Sequence, residues 1–161
     1  MSERMIVGGV ALPRPAPVPD RGPLDDAFYD LVEARFARVV TEDPVLATYL
    51  GIHAWDDRLP DASRDRLLGE IDAEKRHLGA IEAIDPAGLS AAARFERDLE
   101  IHNVRRVIFD AEVVRRWERH SSGSDAVGDA LFPLFSRDFG TPAERYAAIA
   151  GRLEAVPEHL L

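Results

Sequence analysis

The sequence predicts an all-α protein: a bundle of about five to six helices with one long central helix, preceded by a disordered, proline-rich leader. Three observations favour this class. Apolar residues recur at three- and four-residue steps from Leu24 onward, capping residues stand where these runs begin, and no stretch alternates as a strand would. A hydrophobic fraction of 46% in 161 residues can fill the core of one domain. We expect a leader over residues 1–23 and a helical domain over residues 24–161.

The first three helices are predicted from apolar stripes and capping residues. One stripe starts at Leu24 and has acidic residues in its first turn, where they suit the helix dipole. In the segment EDPVLATYLG, Asp43 is placed to cap a short helix that starts at Pro44 and stops at Gly51. A third helix follows the cap residue Ser63 and ends before the DPAG turn.

The remaining helices include the longest one. Ser90 is placed to cap a helix that runs to about Arg119, and its apolar residues cover more than one stripe, as in the middle of a bundle. A fifth helix follows the HSSGS break and contains Pro133, which predicts a kink or a split. The TPAE stretch predicts the last helix, with Thr141 as N-cap and Glu144 completing a capping box.

The N-terminal segment MSERMIVGGVALPRPAPVPDRGP has one short apolar run, MIVGGVAL, behind Arg4. A secretory signal is not the favoured interpretation, because this run holds two glycines and leads into prolines without a clear cleavage site. The PRPAPVP stretch favours an extended polyproline-type backbone, which joins neither a helix nor a sheet. We therefore predict a disordered leader and a cytoplasmic location.

Charge and composition exclude several classes of function. The chain has 29 acidic residues against 20 lysines and arginines, so its net charge of -9 disfavours nucleic acid and anionic membrane surfaces. No apolar run approaches the roughly 18 residues that span a bilayer. The lack of cysteine excludes disulfides and thiolate metal sites and fits the cytosol. We expect neither a nucleic-acid nor a membrane partner.

Short motifs of known chemistry are missing from the sequence. It contains no H-E-x-x-H zinc motif, no phosphate-binding glycine loop and no G-x-S-x-G nucleophile turn. Glu74 and His77 form one Glu-x-x-His pair, with Glu96 and Glu100 on the next helix, but a di-iron bundle needs a second such pair. Because Glu74 and His77 stand in the charged run DAEKRH, we predict a solvated face there. We expect no catalytic residue, no metal ligand and no bound cofactor in this chain.

Two further polar segments favour structural roles. His102 lies between Ile101 and Asn103 on the long helix; it can line a cleft but is more often a core or boundary residue. The basic run RRWERH, from Arg115 to His120, suits the negative end of a helix dipole, and gripping an acidic group is the alternative.

The segment IHAWDDRLPD after Gly51 holds the candidate functional residues. An imidazole, two carboxylates and a guanidinium occur close together at His53, Asp56, Asp57 and Arg58. These residues are our substrate-cleft candidates, because binding residues are often carried by loops on a rigid scaffold. A structural explanation also stands: His53 meets the last free helix carbonyls, the aspartates suit a turn, and Arg58 pairs with one of them.

The C-terminal sequence VPEHLL ends in two leucines without a glycine, an asparagine or a basic last turn. Such an ending predicts a helix that continues in a longer protein. A last turn that packs back on the core is the alternative.

Three stretches carry a family resemblance: LDDAFYDLVEARF, DPVLATYLGIHAWDDRLPD and LFPLFSRDFGTPAERYAAIAGRLEAVPEHL. In order and spacing they resemble the opening third of the bacterial domain-of-unknown-function 885 family, from about Leu24 to Leu161. The resemblance implies a much longer helical protein related to the zinc-dependent peptidases of the gluzincin type, with an H-E-x-x-H motif downstream of this region. It implies zinc only in full-length relatives, and it transfers no catalytic or metal residue to this chain.

Two hypotheses of different class follow. The leading one is the N-terminal helical region of an uncharacterised bacterial protein related to zinc-dependent peptidases or hydrolases, inactive alone, with the remainder of a longer polypeptide as its partner. The alternative is a self-contained helical interaction or scaffolding module without catalytic activity. For the partner, the alternative to the remainder of a longer polypeptide is a self-associating apolar face. Exposure of Leu160 and Leu161 beside a broad apolar face would count against the module.

Overall fold

The helices of the computed structural model confirm the all-α class. The structure describes residues 6–11, 20–119 and 123–159. The α-helices in these ranges are α1 (Asp25–Glu42), α2 (Pro44–Tyr49), α3 (Arg64–Glu82), α4 (Ala91–Phe109), α5 (Arg116–Arg119), α6 (Gly123–Ser136) and α7 (Pro142–His159). Since α4 and α5 are the two parts of the predicted long helix, the described residues form six helices, as expected. None of the described helices is long and apolar enough to cross a bilayer.

The predicted N-caps of α2, α4 and α7 are confirmed. The side chains of Asp43 and Ser90 each accept the backbone N–H three residues later. Thr141 and Glu144 form the capping box: the Glu144 N–H lies 3.3 Å from Thr141 Oγ1, and the Thr141 N–H lies 2.6 Å from Glu144 Oε2. Each such cap stabilises a helix start by about 1 kcal/mol.

The long helix is interrupted near the basic run. After α4 the backbone makes one π-helical turn at Asp110–Val114, and Arg115 then takes a left-handed φ of 50° before α5 begins. The Trp117 Nε1–H donates to the Ala111 carbonyl at 2.9 Å and so satisfies one carbonyl of this irregular turn. Apolar spacing does not reveal such a turn, because the stripe continues across it. His120 lies outside the described residues.

The α6 helix is continuous, so Pro133 does not split it. Proline has no N–H to give to the carbonyl four residues earlier, that of Asp129. The Tyr49 hydroxyl donates to this carbonyl at 3.2 Å. A partner from another helix thus replaces the missing hydrogen bond and allows α6 to continue.

A short β-hairpin, β1 (Ile6–Val7) and β2 (Val10–Ala11), was not predicted. Both glycines of its turn have positive φ. Gly8 lies so close to the loop after α2 that a Cβ there would stand 2.8 Å from Ile52 Cγ2. Two-residue strands are too short to give a detectable alternation in the sequence. The proline-rich part of the leader, residues 12–19, lies outside the described residues.

The chain is divided into two compact units, each with its own apolar core. The first unit comprises Met1–Pro13, Ala37–Ser63 and Ser121–Leu161, and the second comprises Arg14–Phe36 and Arg64–His120. One apolar cluster of the first unit is formed by residues of α6 and α7: Leu134, Ala148 and Ile149. The core of the second unit draws on α1, α3, α4 and the segment before α4: Phe28, Ile81, Leu89 and Ala93.

In the second unit, the buried Asp25 joins the start of α1 to the start of α4. Its carboxylate accepts the Ser90 N–H at 2.9 Å and the Gly22 N–H at 3.1 Å. The Leu24 N–H donates to the Gly88 carbonyl at 3.0 Å in the same junction. Burial alone would raise the pKa of Asp25, but the hydrogen bonds from Ser90 and Gly22 hold that pKa below its ordinary value. The carboxylate therefore stabilises this junction in its ionised form.

Glu74 and His77 lie inside the second unit, so the predicted solvated face is wrong. Their side chains are 1% and 8% exposed. Arg35 Nε lies 2.9 Å from Glu74 Oε2, and Arg35 Nη1 lies 3.4 Å from Glu100 Oε1. The same Glu100 oxygen is 2.9 Å from His77 Nε2. The charged sequence of α3 does not reveal the burial of Glu74, because the compensating positive charge is that of Arg35 on α1, 39 residues earlier.

The cluster of Glu74, His77 and Glu100 does not form the di-iron site that the Glu-x-x-His spacing raised as an alternative. The Arg35 guanidinium contacts both Glu74 and Glu100, where a metal ion would need free carboxylate oxygens. Glu96 is engaged elsewhere: burial and a hydrogen bond to Glu96 raise the pKa of Tyr29 to about 12. Among the residues that the structure describes, no three His, Asp or Glu side chains are grouped to hold a metal ion.

Glu100→Gln is expected to destabilise the protein by about 1–2 kcal/mol near neutral pH, and less in acid. The His77 hydrogen bond, opposed by burial and aided by the Arg35 charge, holds the pKa of Glu100 below its ordinary value of 4.5. A lowered pKa means that the contribution of this carboxylate is complete above 4.5 and is lost as the pH falls through the folded-state pKa. Urea unfolding of both proteins across this range measures the difference, and a difference independent of pH would contradict the prediction.

Candidate functional site

The candidate loop starts from a closed end of α2. Gly51 has a φ of 80°, its N–H donates to the Thr48 carbonyl at 3.1 Å, and the Ile52 N–H donates to the Ala47 carbonyl at 2.8 Å. This pair of bonds is a Schellman motif, which satisfies the Ala47 and Thr48 carbonyls from the backbone, and Arg137 Nη1 donates to the last carbonyl, that of Tyr49, at 2.5 Å. The predicted contact of His53 with these carbonyls is therefore wrong, since they already have partners.

His53 is held at one edge and on one face. Its Nδ1 lies 2.8 Å from Asp56 Oδ2, and its ring stacks on Phe139 with centroids 3.9 Å apart and planes 11° from parallel. The imidazole remains 35% exposed, whereas Asp56 is buried. Among the described residues, Nε2 has no hydrogen-bond partner. The structure thus brings together two of the four sequence candidates and leaves one nitrogen available to a ligand.

The other two candidates lie apart from this pair. The side chains of Asp57 and Arg58 are 63% and 65% exposed, and Arg58 Nε is 3.8 Å from Asp57 Oδ1. The backbone of Asp57 packs closely against α7, because a Cβ on Gly151 would stand 2.8 Å from the Asp57 carbonyl oxygen. A substrate contact through either side chain stays a prediction.

Two residues that were not predicted complete the site. The Thr48 hydroxyl oxygen lies 2.6 Å from Asp56 Oδ1, and Arg152 Nη2 lies 2.6 Å from the same hydroxyl oxygen. Arg152 has no exposed surface. Its guanidinium also donates to backbone carbonyls of the loop, of α2 and of α6: Arg58 at 3.0 Å, Pro44 at 3.3 Å, and Ala130.

The charge of Arg152 is balanced through its surroundings. Burial lowers the pKa of the Arg152 guanidinium, and the carboxylates of Asp56, Asp43 and Asp57 oppose that effect. A guanidinium nevertheless keeps its proton in a protein, so this group is a buried cation. Two aspartates of the loop and the N-cap aspartate of α2 therefore act on a fixed positive charge contributed by α7.

The family of the chain follows from a comparison with known protein families. A family model described as a bacterial protein of unknown function, DUF885, matches residues 44–161, well over half of the sequence. The chain belongs to the DUF885 family. No curated protein and no solved structure matches it. The DUF885 match contains α2, the candidate loop and α7, and so every residue of the site just described except Asp43.

The position of Arg152 in this DUF885 sequence indicates its burial. It stands three and four residues after Ile149 and Ala148, the buried positions of α7, and therefore on the same helix face. An arginine on the apolar face of a helix must find several acceptors, because a buried guanidinium carries five donors. Its partner Thr48 has no such signal, since a threonine inside a short helix is unremarkable.

His102 lies on the surface of the second unit of the DUF885 chain, which corrects the preference for a core or boundary position. It lines an open groove of about 470 Å³ between α3 and α4, together with charged residues and one apolar residue: Glu82, Arg97, Asp98, Ile101 and Arg105. Arg97 is buried and caps the end of α3, with Nε and Nη2 donating to the carbonyls of Ile81 and Glu82. One wall of the groove is therefore Arg97, which caps the C-terminal end of α3.

Proposed function

We propose that this DUF885 chain is the N-terminal helical region of a peptidase-like, metal-dependent hydrolase, and that its first unit contributes to the substrate-binding surface. The single observation that carries the proposal is the orientation of His53. Its Nδ1 is bound to Asp56 and its face to Phe139, while Nε2 is available to a ligand. Half-exposed imidazoles with one fixed nitrogen are well suited to contact a substrate.

The support beneath His53 favours a substrate contact over a simple polar turn. A turn rich in aspartate needs only water and its own backbone. Here a carboxylate, a hydroxyl and a guanidinium are withdrawn from water at Asp56, Thr48 and Arg152. Burying a charged group costs several kcal/mol unless its partners compensate. Such an arrangement is expected where one side chain must keep one orientation.

The zinc ligands of the proposed hydrolase would have to come from outside this sequence. The chain contains no H-E-x-x-H motif, and the Glu74, His77 and Glu100 side chains are engaged by Arg35 or by each other. These residues do not fit a zinc site, which needs three or four free nitrogen, sulfur or carboxylate ligands. We therefore propose that the chain alone is inactive, and we place it in the cytoplasm, in line with its lack of cysteine.

A second candidate function is a helical interaction module without catalytic activity. Large apolar side chains are exposed on α6 and α7: Phe132, Phe135, Tyr146 and Leu153. The spacings of three residues on α6 and seven on α7 place each pair on one helix face. Such faces favour association with another polypeptide or with a further part of the same one. Leu160 and Leu161, which would help to separate the hypotheses, lie outside the described residues.

Peptide hydrolysis tests the leading proposal. We expect the 161-residue chain to leave a mixture of peptides intact with or without added zinc, as followed by mass spectrometry. The genomic reading frame is expected to continue past the codon for Leu161 into an H-E-x-x-H motif, and its complete product should cleave peptides until a chelator removes the metal. Zinc-dependent cleavage by the 161-residue chain, or a stop codon directly after Leu161, would contradict the proposal.

A further inference from the structure

We infer that His53 and Asp56 form a proton-accepting site, in which Asp56, Thr48 and Arg152 are positioning residues that hold His53 in one tautomer. The inference takes its substrate from the proposed function, and it adds the chemistry of recognition. The exposed His53 Nε2 would accept a hydrogen bond or a proton from a ligand O–H or N–H. Neutral peptide groups and hydroxyl groups belong to this class, whereas carboxylates and phosphates do not.

In the series of hydrogen bonds from Arg152 through Thr48 to Asp56, the chemistry of each group determines which partner donates. A guanidinium can only donate, so Arg152 Nη2 donates to Thr48 Oγ1. An ionised carboxylate can only accept, so the Thr48 hydroxyl donates its single proton to Asp56 Oδ1. The distances agree, since Thr48 Oγ1 is 2.6 Å from this carboxylate oxygen and 3.0 Å from the Pro44 carbonyl. The second oxygen of Asp56 is then free to accept from His53.

The tautomer of His53 follows from this direction. Asp56 Oδ2 accepts, so the proton of the neutral imidazole lies on Nδ1, and Nε2 keeps its lone pair. Stacking on Phe139 covers one face of the ring and limits its rotation. An imidazole fixed in this way presents an acceptor at the surface. Arg152, which stands 104 residues after Thr48, thus helps to hold, through Thr48, the carboxylate that fixes His53.

Asp56→Asn is the sharpest test, because it should reverse the tautomer. If Thr48 must donate, the asparagine oxygen faces Thr48, and the asparagine NH₂ then faces His53. His53 Nδ1 must accept from this NH₂, so the ring proton moves to Nε2, the kind of tautomer change caused by an aspartate-to-asparagine replacement in a catalytic triad. Long-range ¹H–¹⁵N spectra of the 161-residue chain at neutral pH distinguish the two tautomers directly.

A second variant separates positioning from simple contact. In Thr48→Val combined with Asp56→Asn, no hydroxyl dictates the direction of the amide, so its oxygen can turn to His53 and restore the Nδ1–H tautomer. His159 serves as an internal control, because its Nδ1 lies 3.0 Å from the Pro60 carbonyl and should keep its proton in every variant. An unchanged His159 spectrum shows that α7 and its contact with the loop are still folded.

The outcomes are decisive in either direction. The inference predicts the Nδ1–H form of His53 in the wild type, the Nε2–H form in Asp56→Asn, and a return toward Nδ1–H in the double variant. It also predicts that N-acetyl-alanine amide shifts the Nε2 resonance and that acetate at the same concentration does not. A wild type without the Nδ1–H form, an unchanged tautomer in Asp56→Asn, or a shift by acetate alone would overturn it. These spectra need no hydrolysis, so a failure of the proposed function is recognised separately.

Discussion

Arg152→Met is expected to lower the free energy of unfolding by about 4 kcal/mol, the largest effect of any single substitution considered. Methionine can fill the volume, but it offers no donor to the acceptors that the guanidinium now serves: Thr48 Oγ1 and the carbonyls of Pro44, Arg58 and Ala130. Each buried acceptor left without a donor costs about 1–3 kcal/mol of stability. Removal of the buried charge offsets part of this loss, because a guanidinium is itself costly to desolvate. Chemical denaturation followed by circular dichroism measures the change.

Arg58→Met is the matched control for this substitution. Arg58 belongs to the same loop, but its side chain is 65% exposed and its backbone carbonyl, which Arg152 contacts, is retained. An exposed ion pair contributes little, so the free energy of unfolding should change by no more than about 0.5 kcal/mol. Equal effects of the two substitutions, or an Arg152→Met protein as stable as the wild type, would contradict the role assigned to Arg152.

Gly22→Ala is expected to destabilise the protein by about 3 kcal/mol through steric overlap in the second unit. A Cβ at Gly22 would stand 2.5 Å from the Gly88 carbonyl oxygen and 2.5 Å from the Ser90 nitrogen. Both are backbone atoms, so no side-chain rotation can relieve the overlap. Moving the segment would also break the hydrogen bonds that Asp25 accepts from Gly22 and Ser90. Thermal and urea unfolding report the loss.

Gly69→Ala supplies the control, with the same chemical change and the opposite expected sign. Gly69 is an exposed position inside α3, and no atom lies within 4 Å of the Cβ that alanine would add. Alanine in a helix interior is more stable than glycine by roughly 0.5–1 kcal/mol. If both substitutions changed stability in the same direction and to the same extent, close packing at Gly22 would not be the cause.

Features that depend on neighbouring residues were predictable from the sequence. Asp43, Ser90 and Thr141 cap helices as expected, because a cap needs only a polar side chain and an N–H three residues later. Gly51 adopts the predicted left-handed conformation for the same local reason. The pairing of His53 with Asp56 also lies within one turn of chain, and the sequence singled out both residues.

Features that depend on distant residues were not predictable. Arg35 and Glu74 are 39 positions apart, and Thr48 and Arg152 are 104 apart, so no spacing rule connects them. Composition suggested the opposite for Glu74, since charged runs usually face water. The partly buried Arg35 contacts two carboxylates of other helices, and the buried Arg152 supports the Asp56 carboxylate through Thr48. An arginine on the buried face of a helix, as at Arg152, is the sequence signal that would have found such a cluster.

The most direct test of the account is the effect of His53→Ala on the zinc-dependent peptide hydrolysis that we propose for the complete product of the reading frame. Removing one substrate hydrogen bond should lower kcat/KM about tenfold while zinc content stays the same. His102→Ala is the matched control, because His102 lies in the second unit on the exposed groove of α4 and should leave kcat/KM unchanged. The account predicts a loss confined to His53→Ala. Equal activity of the wild type and His53→Ala would contradict it.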